Sequence, residues 1–183
     1  MTASMSRRIS LRPVCEDDLP WIIAAGANQS LRGEFESMRM QSPQFFRKRF
    51  AEDGFSSDAA ERLVVCDEAG EAIGSASHFI AHRYSTAREI GWSITDPARR
   101  GQGYGSAIAR TLIDYLFTNF DIHRICCNTA PDNWASRRIA EKAGMQYEGL
   151  LRGVIFIRGK HVDGVVYGIT RPDWQALQAT QGA

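Results

Sequence analysis

The sequence predicts a mixed α/β domain, on three observations. Strand-like and helix-like runs follow one another in the order strand, two helices, three strands, helix, strand, helix, two strands. A glycine-rich turn, Arg99 to Ser106, joins a strand-like run to the most strongly helical run of the chain. The last two strands flank Arg158-Gly-Lys-His161 as a closing hairpin.

Ile9 to Val14 alternates apolar and polar residues and reads as the first strand. Asp17 to Ala27 reads as a helix. Ser42-Pro43 starts the next, with Ser at the cap and Pro in the first turn, and it runs to about Glu52. Arg62 to Cys66 and Ala72 to Tyr84 are strands joined by the turn Asp67-Glu-Ala-Gly70. Arg88 to Thr95 is a strand ended by Asp96-Pro97. Gly103 to Asn119 carries Ile108, Leu112, Tyr115 and Leu116 at helical spacing. His123 to Thr129 is a strand. Asn133 to Ala143 is a helix capped by Pro131-Asp132 and ended by Gly144. Leu150 to Arg158 and Val162 to Thr170 form the hairpin. One domain over residues 7–176 is expected, with frayed ends at 1–6 and 177–183.

The chain has 183 residues, 44% hydrophobic and 23% charged, with a formal charge of +1. That balance fits one globular domain and supplies no global field to recruit nucleic acid. No apolar run approaches the ~20 residues of a membrane span. The start lacks the apolar core of a signal peptide. Cys15, Cys66, Cys126 and Cys127 form no Cys-x-x-Cys pair and have no histidine cluster beside them. Reduced thiols, a cytoplasmic location and no metal site are expected. Adjacent Cys126 and Cys127 should point to opposite faces of their strand.

Arg99-Arg-Gly-Gln-Gly-Tyr-Gly-Ser106 is suited to holding a phosphate. Glycines let the backbone approach a ligand, the first helical amides are unpaired, and arginines fork onto phosphate oxygens. There is no Walker lysine, and Gly-x-Gly-x-x-Gly fails from both Gly101 and Gly103. Arg-x-x-Gly-x-Gly does fit, at Arg100, Gly103 and Gly105. In this the chain resembles the GNAT superfamily of acyl-CoA-dependent N-acetyltransferases. Asn133-Trp-Ala-Ser136, Glu141-Lys142-Ala-Gly144-Met145, Glu148-Gly149 and Arg152 resemble its RimJ/RimL-type branch, which includes ribosomal-protein N-terminal acetyltransferases. Asp163, Tyr167 and Trp174 match the trail that ends such chains. Met145 stands where the family usually has Phe, and both fill an apolar slot.

The resemblance implies a mostly antiparallel seven-stranded sheet with about four flanking helices, splayed between the fourth and fifth strands. It also implies acetyl-CoA, or a related acyl-CoA such as succinyl-CoA, as donor. The predicted donor contacts are Ser93, Ile94 and Thr95 by backbone, then Arg99, Arg100, Gly101, Gln102, Gly103, Tyr104, Gly105 and Ser106, and Asn133 on the later helix. Aromatic residues near turns are usually core, which is the other reading of Tyr104 and Trp134.

Acyl transfer from a thioester to an amine also needs a neutral amine and a proton for the departing thiolate. Glu89 is the candidate base, on the strand leading to the donor site; its other reading is an ion pair with Arg88 or Arg83. Ser136 is the candidate acid, since the helix where many relatives place a Tyr has none; its other reading, shared by Asn133, is helix capping. An α-amine of pKa ~8 is about a tenth neutral at pH 7, and a lysine about one part in 2,500, so an N-terminal substrate asks little of a base. The acceptor cleft is expected between the first two helices and the hairpin, including parts of Asn28 to Gln41 and Gly159 to Asp163. Glu34, Glu36 and Asp163 could attract an amine there, with Arg32 and Arg39 among them. His78, His82, His123 and His161 have no partners at ligand or triad spacing.

The expected activity is transfer of acetyl to a protein N-terminus by direct attack in a ternary complex, by a monomer or homodimer. The alternatives are a small-amine N-acetyltransferase and a non-catalytic acyl-CoA-binding module.

Overall fold

A computed structural model describes residues 7–29, 32–82 and 85–181. The expected ends at 1–6 and 182–183, the last strand residue Tyr84 and the candidate partner Arg83 lie outside the described residues. Seven strands form one sheet in the order β1-β2-β3-β4-β5-β7-β6. They are β1 (Ser10–Pro13), β2 (Ala60–Cys66), β3 (Ala72–Ile80), β4 (Arg88–Ile94), β5 (Arg124–Thr129), β6 (Gln146–Ile157) and β7 (Lys160–Thr170). Every neighbouring pair is antiparallel except β4 and β5.

Five α-helices cover the two faces: α1 (Leu19–Ala27), α2 (Pro43–Asp53), α3 (Tyr104–Asn119), α4 (Trp134–Lys142) and α5 (Arg171–Gln181). Ile108, Leu112, Ile113 and Leu116 of α3 bury against Leu63, Val65, Ala76, Ile90, Ile125 and Ile169 on one face of the sheet. On the other face, Val64 and Cys66 pack with Leu19, Ile22 and Phe46 from α1 and α2. Alternation along β2 feeds both cores, as the period of two requires. Cys127 sits in the α3 core with Met145, their sulfurs 3.8 Å apart, so Met145 fills the expected apolar slot. No helix among the described residues is long and apolar enough to cross a membrane.

The sequence reading and the structure differ at three places. The chain past Thr170 is helical through Gln181, where a frayed end was expected from 177. Tertiary contacts fix α5: Trp174 Nε1 donates to Asp114 Oδ1 at 2.6 Å, and Arg171 donates to the carbonyls of Phe117, Phe120 and Ile122 at the end of α3. The cap of α4 is Asn133, whose Oδ1 accepts from Ser136 N at 3.2 Å, and not Pro131-Asp132. Strand β6 begins at Gln146, two residues after Gly144 closes α4 at φ 89°, and not at Leu150.

Candidate functional site

Strands β4 and β5 share only two registered pairs, Arg88 with Ile125 and Glu89 with Cys126. Beyond Glu89 they part, so the β5-facing edge of β4 is open from Ile90 onward. The other edge is paired with β3, and Thr95 N donates to Ile73 O at 3.0 Å. Antiparallel alternation therefore turns the amides of Gly91, Ser93 and Thr95 toward β3, and those of Trp92 and Ile94 toward the opening. This corrects the expected donor strand. Of Ser93, Ile94 and Thr95, only Ile94 presents its amide to the gap, and Trp92 was missed. Knowing the direction of pairing would have identified it.

The loop after β4 is built by local contacts. Asp96 Oδ1 accepts from Ala98 N at 2.9 Å and starts a single 3-10 turn. Arg100 reaches back to the open edge, where Nη2 and Nε donate to Ile94 O at 3.0 and 3.3 Å. Arg99 turns away and pairs with the buried Asp67, whose carboxyl it holds below its usual pKa. Arg99 thus ties the loop to the β2–β3 turn, where a second phosphate ligand was expected. Gly101 and Gly103 adopt φ 74° and 92°, a region that favours glycine. Among the described residues, chain neighbours aside, no heavy atom lies within 4 Å of a Cβ built on Gly101, and only Arg7 Cγ, at 3.9 Å, approaches one on Gly103.

Helix α3 begins above this open surface. Ala107 N makes the first bond, to Gly103 O at 3.2 Å, so the amides of Tyr104, Gly105 and Ser106 precede the helical ladder. The unpaired amides, the positive end of the helix and the Arg100 guanidinium fit a pyrophosphate. Arg7, absent from the sequence prediction, donates to Gln102 Oε1 at 3.1 Å and adds charge beside the loop. The Tyr104 side chain is buried in the core, its hydroxyl 3.5 Å from Glu68 Oε2; Trp134, by contrast, is exposed under Arg137. Gly105 is a packing glycine, because α4 lies directly on it.

Asn133, Ser136 and Ile139 are spaced three apart and share one face of α4. Ile139 is the residue that meets Gly105, so Ser136 lies one turn closer to the start of α4 on the face turned to α3. The Ser136 hydroxyl has no hydrogen-bond partner among the described residues. Helix α4 is held to β7 by Tyr167, whose hydroxyl donates to Glu141 Oε1 at 2.9 Å and accepts from Arg137 Nε at 3.2 Å. Glu141 and Tyr167 of the sequence motif are thus structural.

Glu89 sits where β4 and β5 diverge and is half-buried. Its carboxylate has no hydrogen bond or ion pair among the described residues, and burial raises its pKa, opposed by His82. Arg88 does not pair with it: Nη1 and Nη2 donate to Ala59 O and Asp58 O at 3.1 and 2.8 Å. Cys126 and Cys127 are buried, which pushes their thiols up to about 11 and about 12.

A cleft of about 390 Å³ lies on the same face of the sheet as Glu89. Ser75, Ser77, Gly91 and Ser93 floor it, Trp21 and Ile22 of α1 and Phe46 of α2 wall it, and Arg32, Glu36 and Ser37 roof it. Arg158, in the β6–β7 turn, donates to Glu34 O at 3.2 Å and joins the hairpin to this roof. Asp163, expected here, instead accepts from Gly153 N at 2.8 Å, and Arg39 is not in the lining. Arg62 lines the cleft and was missed.

The chain matches the acetyltransferase (GNAT) domain family over residues 8–146. It is 30% identical over 129 residues to the uncharacterized N-acetyltransferase YnaD of Bacillus subtilis (strain 168), covering 69% of this chain and 74% of that one. It is 23% identical over 159 residues to the spermidine N(1)-acetyltransferase of Vibrio cholerae serotype O1, covering 87% and 91%. The crystal structure of spermidine N-acetyltransferase from Vibrio cholerae in complex with CoA and spermine superposes with a TM-score of 0.79 at 22% identity, over 91% of this chain and 98% of that one.

Proposed function

The chain belongs to the GNAT acetyltransferase family and is an acetyl-CoA-dependent N-acetyltransferase, and from that premise we propose that it acetylates the primary amine of a small acceptor held in the cleft beneath α1 and α2. The observation that carries this reading is the cleft itself. Its roughly 390 Å³ suits a small molecule, and its floor is the strand whose far edge is open. A protein N-terminus, favoured by the RimJ/RimL-like residues, would enter the same cleft by its first residues. We assign the chain to that branch on Asn133 to Arg152, as one domain over 7–176 with α5 completing it.

The donor's thioester supplies the activated acyl group. The amides of Trp92 and Ile94 bind its pantetheine arm, and Asn133 contacts the arm from α4. Arg100, Arg7 and the first amides of α3 hold the pyrophosphate. Glu89 takes the proton from the acceptor ammonium, directly or through a water, and its raised pKa brings it closer to that task at neutral pH. Ser136 Oγ gives a proton to the departing thiolate. The raised thiol pKa values of Cys126 and Cys127 leave little thiolate for an acyl-enzyme route, which favours direct attack.

Two measurements test this. Acetyl-CoA at 100 times its Kd should stabilise the fold by about 2.7 kcal/mol, and the shift should weaken in Arg100→Ala. No shift with acetyl-CoA, succinyl-CoA or free CoA overturns the donor site. Thiol release on a panel of small amines, and of peptides beginning Ala or Ser, then assigns the acceptor. Turnover of the peptides alone overturns the small-acceptor reading.

A further inference from the structure

We infer that the acceptor carries a carboxylate close to its amine, and that Arg62 binds that carboxylate. The inference rests on the small-acceptor reading and names its chemical class. Arg62 of β2 is in register with Ser77 of β3, which is in register with Gly91 of β4. All three therefore share the sheet face that floors the cleft. Two strand spacings of about 4.8 Å put the Arg62 backbone roughly 10 Å from β4, and the side chain rises into the cleft.

The other arginines that structure this fold have partners. Arg12 forks onto Asp18 at 2.6 and 2.8 Å, Arg99 pairs with Asp67, Arg124 with Glu148, Arg171 donates to three carbonyls, and Arg88 donates to two through its Nη atoms. The half-buried Arg62 guanidinium makes no hydrogen bond among the described residues. Burial lowers its pKa, and the Glu36 charge opposes that. A half-buried cation without a protein partner is open to a ligand, and a carboxylate would meet it in a bidentate pair.

The rest of the cleft fits the same ligand. Glu36, in the roof, accepts from Ser93 Oγ at 3.4 Å, beside the strand proposed to bind the donor. It is the only carboxylate among the lining residues, and it faces two guanidiniums, Arg62 and Arg32. Arg32 is committed to the carbonyls of Gly26 and Ser37, and its Nε is buried without a partner. The cleft is therefore dipolar, with an anion for the ammonium near β4 and a cation on β2, two strands away, for the carboxylate. Arg62 would repel the second ammonium of a polyamine, so the acceptor is amino-acid-like and not a polyamine.

The test uses product analogues that differ only in charge. N-acetyl-L-alanine and N-acetyl-L-alaninamide are titrated into the full chain, with and without CoA, following the fluorescence of Trp21 in the cleft wall. The acid should bind at least tenfold more tightly than the amide. Arg62→Met should bring the two within twofold, and Arg62→Lys should keep part of the preference. With acetyl-CoA and L-alanine, Arg62→Met should raise KM with kcat nearly unchanged, and it should keep the CoA-induced thermal shift. Equal binding of acid and amide, a preference that survives Arg62→Met, or spermidine turned over better than L-alanine would each overturn the inference. Loss of CoA binding with the acid preference intact would instead overturn the acyltransfer reading and leave the subsite standing.

Discussion

A Cβ on Gly105 would lie 2.4 Å from Ile139 Cδ1, so α3 and α4 meet where one of them has no side chain. That contact sets how near Ser136, one turn before Ile139, comes to the start of α3. Gly105→Val should push α4 outward. Overpacking of this kind costs about 1–3 kcal/mol, and KM for acetyl-CoA should rise several-fold. Urea unfolding and donor-saturation kinetics measure the two effects. Gly105→Ala should be milder, because Ile139 can rotate its terminal methyl and the helix gains about 0.5–1 kcal/mol of propensity. Equal stability and equal KM in Gly105→Val would refute the close-contact account.

Glu89 should trade stability for activity. Its pKa is raised in the folded state by burial, so the folded protein holds that proton more tightly than the unfolded chain does. The stabilisation is full below the unfolded pKa of about 4.3 and is lost as pH rises through the folded value. At neutral pH the ionised side chain is thus a net cost, and Glu89→Gln should raise Tm at pH 7. Its kcat should fall by about 10² if the base acts in the transition state. The acidic limb of the wild-type pH profile should rise through a pKa above the ordinary carboxylate range and be absent in Glu89→Gln. A variant as active as wild type with the same acidic limb removes Glu89 from the chemistry.

Asn133 has a capping role that must be separated from any donor contact. Its Oδ1 accepts from Ser136 N at 3.2 Å. Asn133→Ala should lose about 1 kcal/mol, read by thermal or chemical unfolding. Asn133→Ser keeps a cap and should recover most of that loss. If the Asn133 amide also contacts the donor, Asn133→Ser should still show a raised KM for acetyl-CoA. Full recovery of both quantities would make the residue a cap alone.

The fold was largely legible in the sequence because its signals are local. Ser42-Pro43, the Asp67–Gly70 turn and the apolar stripe of α3 each declare an element over a few residues. Helix α5 was not legible, since what fixes it is Arg171 at the far end of α3 and Trp174 on Asp114, both long-range contacts. The site divides the same way. The Gly101–Gly103 turn and the Asn133–Ser136 start of α4 follow from sequence spacing. The partner of Arg99, the Trp92 amide and the unpaired state of Arg62 depend on strand register and on which neighbour reaches a side chain first. Composition and spacing carry neither.

The gap between β4 and β5 bears on how this protein can change over evolutionary time. An unpaired strand edge is a risk in most sheets, and here it lies inside the sheet, beside β5. Its free groups are peptide amides, which no point mutation short of proline can delete. The neighbouring cleft is lined by side chains such as Arg62 and Glu36, each one substitution from a different charge. The open strand edge is therefore less exposed to mutational drift than the side chains of the cleft. A scaffold so divided can take new cleft side chains while its open strand edge is kept.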